Sequence, residues 1–213
     1  MAVLRVNPTR MELTKLKKRL VTATRGHKLL KDKRDEMVRQ FMLLIRRNKA
    51  LREEVEAALS MALAGFVLAR IAMTKETMDE ALMYPVREVE LSISHANIMS
   101  VDVPKISYSE KKQERSFFPY GLLCTSAELD SATTKLSSVL PQMVELAELE
   151  KTCNMLADEI EKTRRRVNAL EYVMIPQLQE TIRYIRMKLD ENERGNLTRL
   201  MKTKDMIAKR EAN

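Results

Sequence analysis

Few side chains in this sequence are of a kind that does chemistry, and none stands at a spacing that organises it. Among 213 residues there are two histidines, His27 and His95, and two cysteines, Cys124 and Cys153. One histidine alone makes no metal site, and the cysteines have neither metal-ligand nor redox spacing. They read as small apolar residues kept reduced, as in a cytosolic protein. The acidic run Asp190-Glu191-Asn192-Glu193 reads as a solvated helix face. The glycine-rich phosphate loops G-x-x-x-x-G-K-[ST] and G-x-G-x-x-G are absent, as is the zinc-protease pattern H-E-x-x-H. The expectation is a chain with no catalytic site, cofactor site or metal site.

The elements point elsewhere. Four Gly, six Pro and no Trp accompany abundant Ala, Leu, Met, Glu, Lys and Arg, a composition of long helices. No unbroken run of eighteen apolar residues occurs, so no transmembrane helix is expected. The start, MAVLRVNPTRMEL, lacks the apolar core of a signal peptide. Residues 1–52 hold sixteen Lys/Arg against four Asp/Glu, a balance of +12. Residues 183–213 hold nine against five, and residues 53–182 carry a net −8. Basic ends flank an acidic middle, which favours an acidic partner around the ends.

A helix start at Asn7-Pro8-Thr9-Arg10-Met11-Glu12 opens a heptad seam that runs without a slip to Ala72. Its d positions are Leu16, Ala23, Leu30, Met37, Leu44, Leu51, Ala58, Gly65 and Ala72. Its a positions are Leu13, Leu20, His27, Arg34, Phe41, Asn48, Val55, Ala62 and Ala69. A seam sustained this long argues for a coiled coil. Next, Thr77-Met-Asp-Glu80 reads as a capping box for a short helix ended by Tyr84-Pro85. Alternation through Val89, Leu91 and Ile93, then Val101, Val103 and Ile106, predicts a β-hairpin near 87–107, turning at Ser94–Asn97. A loop with an aromatic anchor at Phe117-Phe118-Pro119 follows. Thr125-Ser-Ala-Glu128 restarts helix, and Ser137-Ser138 with Pro141 is expected to divide a short helix from a long one. In the long one, Leu156, Val167, Leu178, Leu189 and Leu200 recur every eleven residues, with Met174, Ile185 and Ile207 as a second stripe. That period favours a straight or right-handed coil. Pro176 sits inside this helix, where a proline costs about 3 kcal/mol.

The fold expected is all-α dominated: a long antiparallel two-helix coiled coil with a small central insert of short helices and a β-hairpin. The divisions are residues 1–75 for the first long helix, 76–140 for the insert and 141–213 for the second. The seam would comprise Leu13, Leu16, Leu20, Leu30, Met37, Phe41, Leu44 and Leu51 on one helix. Val167, Met174, Leu178, Ile185 and Leu189 would face them from the other.

Two stretches carry a resemblance. NPTRMELTKLKKRLVTATRGHKLLKDKRDEMVRQF, residues 7–41, resembles the N-terminal signature of the D subunit of V-type (vacuolar/archaeal) rotary ATPases. RRRVNALEYVMIPQLQETIRYIRMKLDENERGNLTRLMKTK, residues 164–204, resembles its C-terminal signature, including the IPQL around Pro176. Together they cover about a third of the chain, and its length suits the bacterial or archaeal form. The resemblance implies a non-catalytic rotor shaft that transmits torque between an A/B hexamer and the ion-translocating ring. It implies as partners the A and B subunits, the F subunit and the C/d adaptor, with no nucleic acid and no direct membrane insertion. It also implies a cytoplasmic location, peripheral to the membrane. On that footing Lys17, Lys18, Arg25, Lys28, Lys31, Arg34, Arg164, Arg165 and Arg166 would face acidic loops of the hexamer. Pro176 would give the shaft an asymmetric surface. The rival readings are a tethering coiled coil, which predicts a parallel dimer, and a basic nucleic-acid binder, which lacks an aromatic stacking platform.

Overall fold

The structure, a computed structural model, describes residues 4–83, 88–110, 118, 120–121 and 125–211. Its elements are helix α1 (Arg10–Ala72), helix α2 (Lys75–Ala81), strands β1 (Val89–Ile98) and β2 (Val101–Glu110), and helix α3 (Ala127–Asn168). A π-helical turn (Ala169–Met174) then joins α3 directly to helix α4 (Ile175–Glu211). Cys124, Tyr84-Pro85, Phe117 and Pro119 lie outside the described residues. The chain divides into two compact units. The first holds Met1–Glu36 and Glu161–Asn213, the second Met37–Ile160.

Thr9 caps α1, its hydroxyl accepting from the Glu12 amide at 3.3 Å. Every a and d position from Leu13 to Ala69 is buried or half-buried, while Ala72 is exposed. The heptad reading therefore holds to the last turn and fails only at its end.

In the first unit, Leu16 and Ala23 of α1 pack against Leu178, Ile182 and Ile185 of α4, with Leu13 and Leu189 at the edge. Arg10 pairs with Glu193, and His27 approaches Glu171, so these helices run antiparallel. Ahead of α1, the Leu4 amide donates to Thr181 Oγ1 at 3.2 Å, and that hydroxyl donates to Gln177 O at 2.7 Å. Thr181 is fully buried with both of its hydrogen-bonding roles filled.

In the second unit, α1 and α3 also run antiparallel. Gly65 lies against Ala132, and a Cβ at Gly65 would stand 3.0 Å from the Ala132 Cβ. Ala62, Ala69 and Ala132 are completely buried, so small residues let the helices approach closely. Arg47 and Arg52 reach Glu145 and Glu150 on the outside.

Strands β1 and β2 pair from Val89↔Glu110 to Ile98↔Val101. The turn is at Met99 and Ser100, both with positive φ (52° and 69°). The Asn97 side chain supports it, accepting from the Ser100 amide at 3.0 Å and donating to Asp102 at 2.8 Å. The expected turn at Ser94–Asn97 is thus displaced: an asparagine side chain closing the loop lets the strands run longer. Val101 and Val103 bury against Leu156, Phe41 and Leu44. The Ile106 amide, on the outer edge of β2, donates to Glu148 of α3 at 2.8 Å.

Three local expectations are corrected. Helix α2 is capped by Thr74, whose hydroxyl accepts from the Thr77 amide, so Thr77 lies inside the helix. Helix α3 is capped by Ser126, which accepts from the Leu129 amide at 3.4 Å, one residue after Thr125. Pro141 does not divide a helix: α3 runs through it, with Pro141 on the exposed face. Ser138 donates back to Lys135 O at 2.7 Å, an in-helix bond rather than a cap.

The eleven-residue stripe also resolves differently. Buried and half-buried positions step by seven through Ala132, Val139, Leu146, Cys153, Ile160 and Val167, and through Leu149, Leu156, Thr163 and Leu170. They resume by sevens at Ile175, Ile182 and Leu189, and at Leu178 and Ile185. Each row takes a single step of eight across the π-helical turn. Leu200 and Ile207 are exposed.

Candidate interaction surfaces

The nine basic residues singled out from sequence, Lys17, Lys18, Arg25, Lys28, Lys31, Arg34, Arg164, Arg165 and Arg166, all fall in the first unit. That unit holds 24 Lys/Arg and 12 Asp/Glu, a net +12, against 14 and 18 in the second, a net −4. Eight of the nine are exposed; Arg34, at an a position, is half-buried. Arg34 bonds Asp35 Oδ1 through Nε at 2.9 Å and Nη2 at 2.7 Å, which neutralises it locally. Arg165 pairs with Glu161 one turn back. Lys17, Lys18, Arg25 and Lys28 stand away from the a/d seam because α1 devotes those positions to contact with α4.

The seam residues are placed as follows. Leu16, Met37, Val167, Leu178 and Ile185 are buried, and Leu13, Leu20, Leu30, Phe41, Leu44, Leu51 and Leu189 are half-buried. Met174, in the π-helical turn, is 39% exposed. Pro176 is the second residue of α4, directly after that turn, where it is half-buried.

A second surface has the opposite chemistry, and the sequence reading passed over it. Met61, Leu63, Val67, Leu68 and Ile71 of α1 are all more than half exposed, as is Met83 after α2. They lie off the a/d seam, so a seam search ignores them; apolar residues on the remaining faces were the available signal. Phe66, Val67, Met78 and Leu82 line an open groove between α1 and α2 of about 410 Å³. Contrary to the expectation from unbroken runs, α1 contains one 18-residue window long and apolar enough to cross a membrane. Isolated polar residues such as Ser60 and Arg70 hide it from a run count.

Beside this surface the ring of Phe118 stacks on Tyr120 with centroids 5.6 Å apart. The Tyr120 hydroxyl donates to Asp130 at 2.8 Å. Burial pushes the Tyr120 phenol up; its hydrogen bond to Thr133 opposes the rise and the Asp130 carboxylate adds to it. Cys153 is buried, and burial likewise raises its thiol, against a lowering contact with Asn48 and a raising one from Glu150. Both groups stay neutral at neutral pH and serve packing. Among the described residues no cluster of three His, Cys, Asp or Glu is arranged to hold a metal.

Comparison with known proteins agrees along nearly the whole chain. The family described as the ATP synthase D subunit matches residues 12–205. The chain is 59% identical to the V-type ATP synthase D subunit of Acetivibrio thermocellus, covering 100% of this chain and 96% of that one. It is 58% identical to the protein of the same name from Clostridium novyi, with 98% of each covered. The one from Thermoanaerobacter sp. is 57% identical over 98% of this chain and 100% of that one.

Proposed function

Because the chain belongs to the ATP synthase D-subunit family of V-type complexes, we propose that it is the central rotor shaft of such a complex. It is a non-catalytic component. In this reading it carries torque between the nucleotide-hydrolysing A/B hexamer and the ion-translocating ring, working in the cytoplasm at the membrane's edge.

The observation that supports it is the division of surface chemistry. The first unit is strongly cationic, as suits a shaft that must turn inside a protein collar lined by acidic loops. Exposed ion pairs contribute about 0–1 kcal/mol each, so the nine basic residues hold the shaft near acidic loops without locking it. The second unit exposes the apolar stretch 61–71 of α1 beside an open groove, a surface of the kind that marks a protein interface. The F subunit and the C/d adaptor are the partners we assign there. We propose no direct membrane insertion: one face of the apolar stretch of α1 is already used against α3 through Ala62, Gly65 and Ala69.

The test is co-purification of the tagged chain with A, B and F subunits, comparing wild type with a variant in which Lys17, Lys18, Arg25, Lys28 and Lys31 become Gln. The variant should retain the F subunit and lose the hexamer at lower salt than wild type. Retention of the hexamer with unchanged salt dependence would reject the assignment of the basic unit.

A further inference from the structure

We infer that the π-helical turn Ala169–Met174 is a pinned register step, which stores the one residue that the heptads of the C-terminal helix cannot place. Along this helix the rows Thr163–Leu170 and Ile160–Val167 approach the turn in sevens. The rows Ile175–Ile182–Leu189 and Leu178–Ile185 leave it in sevens, one residue late. Had the heptads simply continued, Met174 would occupy the place of Ile175; instead Met174 is exposed and Ile175 packs on the seam cluster. An extra residue in a helix is absorbed by widening one turn to i→i+5 bonding. That bonding is present, since the Ile175 amide donates to Leu170 O. None of the six residues of the turn is buried, so the surplus is pushed outward.

Two features fix the turn in place. Pro176 has no amide hydrogen, and in a regular α-helix its ring would collide with the Tyr172 carbonyl and leave that carbonyl unpaired. Here the ladder already changes step just before Pro176, so the missing donor falls where regular pairing has lapsed. A π turn is otherwise free to slide along a helix; the proline gives it a preferred stop. From the other helix, His27 Nε2 lies 3.3 Å from Glu171 Oε2. One polar a position of α1, His27, therefore faces the turn itself, so a departure from the apolar seam on one helix meets the register step of the other.

The test is thermal unfolding and amide exchange of the full chain with a set of single-residue deletions. Deleting Val173 removes the surplus and places Pro176 inside a regular α-helical ladder. This deletion should lower Tm by several degrees, and adding Pro176→Ala to it should restore most of the loss. In the undeleted chain Pro176→Ala should move Tm within about 2 °C, yet raise exchange at residues 175–182 as the turn begins to slide. Deleting exposed Gln179 instead takes Ile182, Ile185 and Leu189 off the seam, and Pro176→Ala could return them only by displacing Ile175 and Leu178, so it should restore much less. The proposal is overturned if Pro176→Ala raises Tm equally with and without Val173. It is overturned equally if the Val173 deletion with Pro176→Ala is no more stable than the Gln179 deletion.

Discussion

The two units are built from the same helices by different packing rules. In the first, branched and long aliphatic side chains, Leu16, Leu178, Ile182 and Ile185, fill the space between α1 and α4. In the second, Ala62, Gly65, Ala69 and Ala132 bring α1 and α3 close, while Val55, Val139 and Leu149 bury elsewhere along the helices and Leu156 buries against β2. The outer faces differ in charge, the first unit carrying a net +12 and the second a net −4. Both units expose apolar side chains, among them Met11, Leu29 and Val173 in the first and Met61, Leu63 and Ile71 in the second.

Leu156→Ala removes a fully buried side chain shared by the helices and the hairpin, and should cost about 2–5 kcal/mol by denaturant unfolding. Leu178→Ala in the first unit should fall in the same range. If Leu178→Ala were silent, the first unit would not be held by its aliphatic seam. Gly65→Leu forces a side chain into the close contact with Ala132 and should cost roughly 1–3 kcal/mol. Gly26→Ala, with nothing within 4 Å of its new methyl, should instead stabilise by up to about 1 kcal/mol through helix propensity. Calorimetry on the pair should give shifts of opposite sign. The smallest effect concerns Cys153. With Cys124→Ser present, the remaining thiol should resist alkylation at pH 8 in the folded chain and react at once in denaturant, because burial keeps it protonated. Rapid labelling of the folded chain would mean that the second unit opens readily at this level.

Much of this was readable from the residues. The α1 seam was legible because heptads reward one face with the same residue class for more than eight turns, and no loop chemistry competes. The hairpin strands were legible from alternation, but the turn was not: Asn97, Met99 and Ser100 carry no glycine, and the side-chain bond that closes the turn is invisible to propensity. Pro141 misled because an exposed proline can be tolerated where flanking turns are packed. The register of α4 misled more instructively. Leu156, Val167, Leu178 and Leu189 do recur at eleven, yet they belong to two interleaved rows joined by one step of eight. Periodicity averages over a local irregularity; only the hydrogen-bond ladder locates it. The basic residues were legible as a charge bias, whereas the exposed apolar faces of α1 were not, since sequence alone does not say which apolar residues remain uncovered.

The bond from Leu4 to Thr181 joins positions 177 apart in sequence. It ties the residues ahead of α1 to the second turn of α4. A fluorophore attached at the exposed Arg5, next to that bond, would therefore report the orientation of α4. In the proposed rotor this spot would be a handle for following rotation.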